Sequence, residues 1–181
     1  EDIDGIWSFA KDNALGLAVI GPEVPLAMGI VDQLEAVGVK TFGPNKKCSQ
    51  LEASKSFTKD FLARHDIPTA GYKEFTDKDE LLDAVGIFGY PMVLKADGLA
   101  AGKGVVIAEN EADAKQAIEE MMGDKVFGHA ADKIVVEEFL PGVEASMLCF
   151  VDEHTILPME SAQDYKRAFD DDKGPNTGGM G

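Results

Sequence analysis

Val93-Leu94-Lys95-Ala96-Asp97-Gly98-Leu99-Ala100-Ala101-Gly102-Lys103-Gly104-Val105-Val106-Ile107 reads as a strand, a glycine-rich loop and a second strand. A Walker A loop needs four residues between its glycines, then Gly-Lys-Ser/Thr and a helix. Here three residues separate Gly98 from Gly102, Gly104 follows Lys103, and a strand follows the loop. The segment is therefore neither a P-loop nor a dinucleotide fingerprint; the spacing predicts an antiparallel hairpin. Three glycines and two alanines leave backbone N–H groups that can surround an anion. Lys95 at the strand end and Lys103 in the loop add positive charge, which suits a polyphosphate. Taken alone, the loop fits a flexible turn with two solvated lysines as well.

About forty residues downstream, Ile134-Val135-Val136-Glu137-Glu138-Phe139-Leu140-Pro141-Gly142-Val143-Glu144 runs from an apolar strand into an extended connector. Adenine presents an amino donor beside a ring-nitrogen acceptor. A backbone C=O at Glu138 and an N–H at Leu140 answer that pattern, and Pro141, having no N–H, is excluded as the donor. Glu144 is placed to accept from ribose hydroxyls. A hairpin with exposed glutamates is the other reading of these residues.

Upstream the pattern changes. Leu17–Ile20 reads as a buried strand closed by Gly21-Pro22. Leu26, Ile30, Val31, Leu34 and Val37 recur at the spacing of one helix ended by Gly38, and Val39–Phe42 is a second strand. Strand, helix, strand predicts a parallel βαβ unit, preceded by a helix near 3–12. Ser54 is a candidate cap for a helix with Phe57, Phe61 and Leu62 on its apolar face. Strands are expected at 72–75, 92–95, 105–108, 134–138 and 145–151, with Thr76 and Asn110 capping two further helices. The fold class is α/β up to about residue 50, then α+β with antiparallel strands.

The chain has 181 residues, 33 acidic and 17 basic, for a net charge of −16. Such a surface repels nucleic-acid phosphates. No apolar run approaches the roughly 20 residues needed to span a bilayer. Cys48 and Cys149 have no metal-ligand spacing and are expected to be reduced and buried, in a reducing compartment. Near the end, Gln163-Asp164-Tyr165-Lys166-Arg167 precedes Gly174-Pro175-Asn176-Thr177-Gly178-Gly179-Met180-Gly181. Asp, Lys and Arg in one loop can hold an amino acid's ammonium group and an anionic partner together. An acidic, solvated surface loop fits the same residues, given Asp170-Asp171-Asp172.

As strings, these segments resemble the ATP-grasp enzymes and, within them, the phosphoribosylamine–glycine ligase (glycinamide ribonucleotide synthetase) family. The match is carried by Gly21-Pro22-Glu23-x-Pro25-Leu26, Phe42-Gly43-Pro44, Ser54-Lys55-x-Phe57-Thr58-Lys59, Lys95 to Gly104, and Gln-Asp-x-Lys-Arg followed by Pro-Asn-Thr-Gly-Gly-Met-Gly. It runs along essentially the whole chain. The resemblance implies an incomplete ATP-grasp fold at 51–181, with a small lid at about 72–139, after the end of a Rossmann-like domain at 1–50.

The resemblance also implies roles. Lys55, Lys95, Gly98, Gly102, Lys103, Gly104, Glu137, Glu138, Phe139, Leu140 and Glu144 would bind ATP. Gly21, Pro22, Glu23, Asp164, Lys166, Arg167, Pro175, Asn176, Thr177, Gly178 and Gly179 would bind substrate. Lys95, Asp164 and Arg167 are the catalytic candidates. The implied reaction is ATP-dependent joining of glycine to 5-phosphoribosylamine in the cytoplasm, with Mg2+ or Mn2+ on ligands expected beyond Gly181. Tyr165 stands where the family usually has His and is assigned no catalytic role. Alternatives are another ATP-grasp carboxylate–amine ligase or carboxylase, or a nucleotide-binding module without turnover. The segment alone is expected to be inactive.

Overall fold

The structure, a computed structural model, describes residues 2–99, 104–170 and 173–180, with only the backbone of 166, 167 and 174–180. The glycine-loop residues 100–103, including Gly102 and Lys103, lie outside the described residues. The chain divides into two compact units, Glu1–Phe139 and Leu140–Gly181.

The first unit opens with α1 (Ile3–Asp12), whose N-cap Asp2 accepts from the Gly5 N–H at 2.7 Å. β1 (Ala18–Val19) and β2 (Thr41–Phe42) pair in parallel, Ala18 opposite Thr41. The single helix expected between them is two, α2 (Glu23–Met28) and α3 (Ile30–Ala36). Gly29 separates them at φ +91°, the left-handed region that glycine enters without a Cβ penalty. Ile3, Ala10, Ile30, Val31, Leu34 and Val39 form the core of this part.

α4 (Gln50–Ala53) leads into α5 (Lys55–Arg64), where Ser54 Oγ accepts from the Phe57 N–H at 3.1 Å as a cap should. The expected apolar face of α5 is not the buried one. Ser56 and Lys59 are buried, whereas Phe57 is exposed, because the inner face of α5 meets charged partners described below. β3 (Tyr72–Phe75), β4 (Met92–Ala96), β5 (Val105–Ala108) and β6 (Ile134–Glu138) form one antiparallel sheet in the order β3-β6-β4-β5. α6 (Lys78–Asp83) and α7 (Glu111–Ile118) supply the apolar cover. Asn110 caps α7, accepting from Ala112 and Asp113 N–H groups. The cap of α6 is Asp77, not Thr76: its carboxylate accepts from the Asp79 and Glu80 N–H groups, both at 2.9 Å. One π-helical turn, Glu119–Gly123, continues α7, and a 3-10 turn spans Gly128–Ala131.

Side chains alternate between the faces of a strand. Met92, Leu94 and Ala96 of β4 and Ile134 and Val136 of β6 enter the core with Leu81, Ile118 and Met121. Val93, Lys95, Val135 and Glu137 therefore share the opposite face. That face is where the lysine chemistry lies.

Among its described residues the second unit has two antiparallel strand pairs. β7 (Cys149–Val151) pairs with β8 (Ile156–Pro158), and β9 (Tyr165–Phe169) pairs with β10 (Lys173–Met180). The strand expected at 145–151 is confined to 149–151, with Ser146 in an isolated bridge to Ala162. Cys48 and Cys149 are free but exposed, contrary to the expectation of burial: both stand on short surface segments outside the two cores.

Candidate nucleotide-binding site

The glycine segment joins two antiparallel strands, as its spacing predicts: Lys95 pairs with Val105, and the Ala96 N–H donates to Gly104 O at 2.8 Å. Its first glycine is tied down. The Gly98 N–H donates to Ala130 O at 3.2 Å, and a Cβ at 98 would come within 3.0 Å of Ala130 Cα and Cβ. Glycine allows this approach of loop to 3-10 turn without displacing Ala130.

Lys55 begins α5 beside this root, with its Nζ 3.3 Å from Gly98 O. Burial pushes its pKa below the ordinary lysine value; Asp97 opposes that shift and Lys95 adds to it. Lys95 Nζ lies 3.0 Å from Glu137 Oε1. Glu137 Oε2 lies 2.9 Å from Lys59 Nζ. The two lysines expected to meet phosphate thus flank the start of the glycine loop, in a chain whose overall charge is strongly negative.

Asp97 connects the loop to α5. Its Oδ1 accepts from the Ser56 N–H at 2.7 Å and from Ser54 Oγ at 3.2 Å, and its Oδ2 accepts from Ser56 Oγ at 3.1 Å. Its backbone O accepts from the Lys55 N–H at 3.2 Å. Lys133 Nζ donates to Ser56 Oγ at 3.0 Å and to Glu74 Oε2 at 3.4 Å. A carboxylate at a helix N-terminus opposes the unfavourable placement of a lysine there.

Glu138 exchanges two hydrogen bonds with Gly71: its N–H donates to Gly71 O, and its Oε1 accepts from the Gly71 N–H, both at 3.0 Å. The Glu138 carboxylate is therefore a tether at the start of β3. Phe139 and Leu140 are exposed at the junction of the two units, and Glu144 is exposed in the second.

Gly21, Pro22 and Glu23 stand exposed where β1 gives way to α2, at the carboxyl end of a parallel strand. In the second unit Asp164 is half-buried, directly before β9, and Tyr165 donates to Gln163 Oε1 at 3.3 Å. β9 carries Lys166 and Arg167, and β10 carries Pro175 to Gly179; Arg167 pairs with Asn176 across the strand pair. The two motif strings thus run side by side. Among the described residues, no group of three or more His, Cys, Asp or Glu side chains is placed to hold a metal ion, and no described helix is long and apolar enough to cross a membrane.

Sequence reading assigned no role to Lys59, Asp97, Ser56 or Lys133. A signal for the first and third existed. Ser56 and Lys59 are three apart on one helix face, and that face is the buried one. Nothing local marks Asp97 or Lys133, whose partners are remote in sequence.

Comparison with known proteins agrees with this geometry. Residues 1–52 match the model of the phosphoribosylglycinamide synthetase N domain, and residues 53–181 match that of the phosphoribosylglycinamide synthetase ATP-grasp (A) domain. The phosphoribosylamine–glycine ligase of Vibrio vulnificus is 53% identical over all of this chain, which spans 42% of that relative's length. The solved phosphoribosylamine–glycine ligase of Thermotoga maritima is 35% identical, with a TM-score of 0.66 over 78% of this chain and 36% of that one. The biotin carboxylase domain of Hydrogenobacter thermophilus 2-oxoglutarate carboxylase, solved with MgADP, has a TM-score of 0.65 at 21% identity over 77% of this chain and 31% of that one; this likeness is of fold alone. The chain belongs to the phosphoribosylglycinamide synthetase family and has the ATP-grasp fold.

Proposed function

We propose that the full-length protein carrying this chain is a cytoplasmic ATP-dependent ligase that joins glycine to 5-phosphoribosylamine, giving glycinamide ribonucleotide, ADP and phosphate. The observation that carries the reading is the pair of lysines at the root of the glycine loop, Lys55 on Gly98 O and Lys95 on Glu137. Residues 1–50 are assigned to the N-terminal domain and 51–181 to the ATP-grasp domain, with 72–139 as its small lid.

In the proposed reaction a glycine carboxylate oxygen attacks the γ-phosphorus and ADP leaves, giving glycyl phosphate. The amine nitrogen of phosphoribosylamine then attacks the glycyl carbonyl carbon, phosphate leaves, and the nitrogen gives up a proton. No covalent enzyme intermediate is required; the protein supplies position and charge compensation. Lys55, Lys95 and the loop at 98–104 hold the phosphates. Glu138 C=O and Leu140 N–H read adenine, and Glu144 takes the ribose. Asp164, Lys166, Arg167 and the strand carrying 175–179 contact glycine and the amine, and the Gly21–Glu23 turn offers a second contact to phosphoribosylamine. Mg2+ or Mn2+ would balance phosphate charge.

Lys95→Ala tests the phosphate assignment. A charge-assisted hydrogen bond contributes roughly 1.5–3 kcal/mol, so ATP affinity of the full-length ligase is expected to fall about ten- to a hundredfold. Adenosine, which has no phosphates, should lose far less. Calorimetry with both ligands reads the difference, and equal losses would make Lys95 a structural residue. The competing reading, a nucleotide-binding module, predicts ATP binding without glycine-dependent ADP release.

A further inference from the structure

Three charged side chains meet on the face of the four-stranded sheet opposite its core. The side chain of Glu137 is 6% exposed and that of Lys59 8%, whereas that of Lys95 is 29% exposed. Glu137 gives one carboxylate oxygen to each lysine, at 2.9 Å and 3.0 Å. The other partners of Lys59 Nζ are neutral: Thr69 Oγ1 at 2.8 Å, Ala70 O at 3.2 Å and the Tyr72 ring at 5.6 Å.

A carboxylate paired with Lys95 alone would make a neutral couple. It would then hold the lysine in place while cancelling the charge that phosphate needs. The second, buried lysine alters that balance, because two ammonium groups share one carboxylate and a single positive charge remains. The remaining charge is felt at the more exposed member, Lys95. We infer that Lys59 is a positioning residue that acts through Glu137: it compensates the carboxylate, so that Lys95 is held rigidly yet keeps its charge for a nucleotide phosphate. This rests on the reading of Lys95 as a phosphate lysine. It gives the Glu137 side chain a role separate from the backbone of the adenine connector.

The test is a charge series in the full-length ligase, read as the ratio of ATP affinity to adenosine affinity. Lys59 stands behind the Glu137 carboxylate, so removing its unit charge about 10 Å from a phosphate, at an effective dielectric near 20, is expected to cost roughly tenfold. Lys59→Met should therefore lower the ratio about tenfold, and Lys59→Arg should keep it near wild type. The double variant Lys59→Met/Glu137→Gln returns the cluster to one positive charge, so its ratio should recover even though both ion pairs are gone. Glu137→Gln alone should raise the ratio. A packing role would make the double variant no better than Lys59→Met, and that result overturns the inference. So does a folded Lys59→Met protein with an unchanged ratio. If Lys59→Met does not fold, Glu137→Gln is compared with the double variant, and equal ratios overturn the inference. Lys95→Ala runs beside the series: equal loss of ATP and adenosine there refutes the phosphate reading itself, whereas a normal Lys95→Ala result beside an insensitive Lys59→Met refutes only the role of Lys59.

Discussion

Lys55 occupies the first position of α5, where the helix dipole disfavours a cation, and burial lowers its pKa further. Between that lowered pKa and the ordinary lysine value, the unfolded chain binds the extra proton. The contribution of Lys55 to stability is thus present above the ordinary lysine value and is lost as pH falls through the folded one. Bound phosphate acts with the opposite sign, because an adjacent anion favours the ammonium form. ATP binding in the pH range between the lowered pKa and the ordinary lysine value is accordingly expected to take up protons. Calorimetry in two buffers of different ionisation enthalpy measures that uptake. Lys55→Arg, which keeps a charge that does not titrate in this range, should abolish it; wild-type protein with no uptake would place Lys55 away from the phosphates.

Asp97 fastens α5 to β4 at their ends. Replacing it with Ala leaves the Ser56 N–H and two serine hydroxyls without their acceptor. Loss of a capping carboxylate costs about 1–2 kcal/mol. Asp97→Ala should lower the midpoint of thermal unfolding and speed amide exchange at Ser56 to Thr58, while β6 keeps its protection; hydrogen exchange resolved by residue checks this. The strands were the most legible elements in the sequence. β3, β5 and β6 occupy the predicted residues, because short runs rich in Val, Ile, Tyr or Phe and bounded by turn residues read as strands. The break at Gly29 was hidden because apolar residues on both sides keep one helical period. The face of α5 was misjudged for a different reason. Apolar spacing assumes an apolar neighbour, and the neighbours of Ser56 and Lys59 are a half-buried aspartate just past β4 and a buried glutamate of β6, both remote in sequence. Local pattern thus located the glycine loop and Lys95, the family resemblance located Lys55, and the long-range charge pairs appeared only with the fold.

Taken whole, the 181-residue chain carries sixteen more negative than positive charges. Exposed pairs such as Arg64–Asp60 and Lys115–Glu111 offset little of that repulsion, since ion pairs in water contribute about 0–1 kcal/mol. Screening should therefore help: the unfolding midpoint is expected to rise by a few degrees as NaCl goes from about 10 to 300 mM. A thermal scan across salt reads this, and a falling midpoint would mean that attractive surface pairs outweigh net repulsion. The cysteines bear on the same scale. Cys48 belongs to the first compact unit and Cys149 to the second, and both thiols are free and open to solvent. The chain has no others. A maleimide reagent should therefore label two sulfurs per native chain without unfolding it. A donor dye on one and an acceptor on the other would make the protein its own molecular ruler, reporting by energy transfer whether the separation of the two sulfurs changes as nucleotide is added.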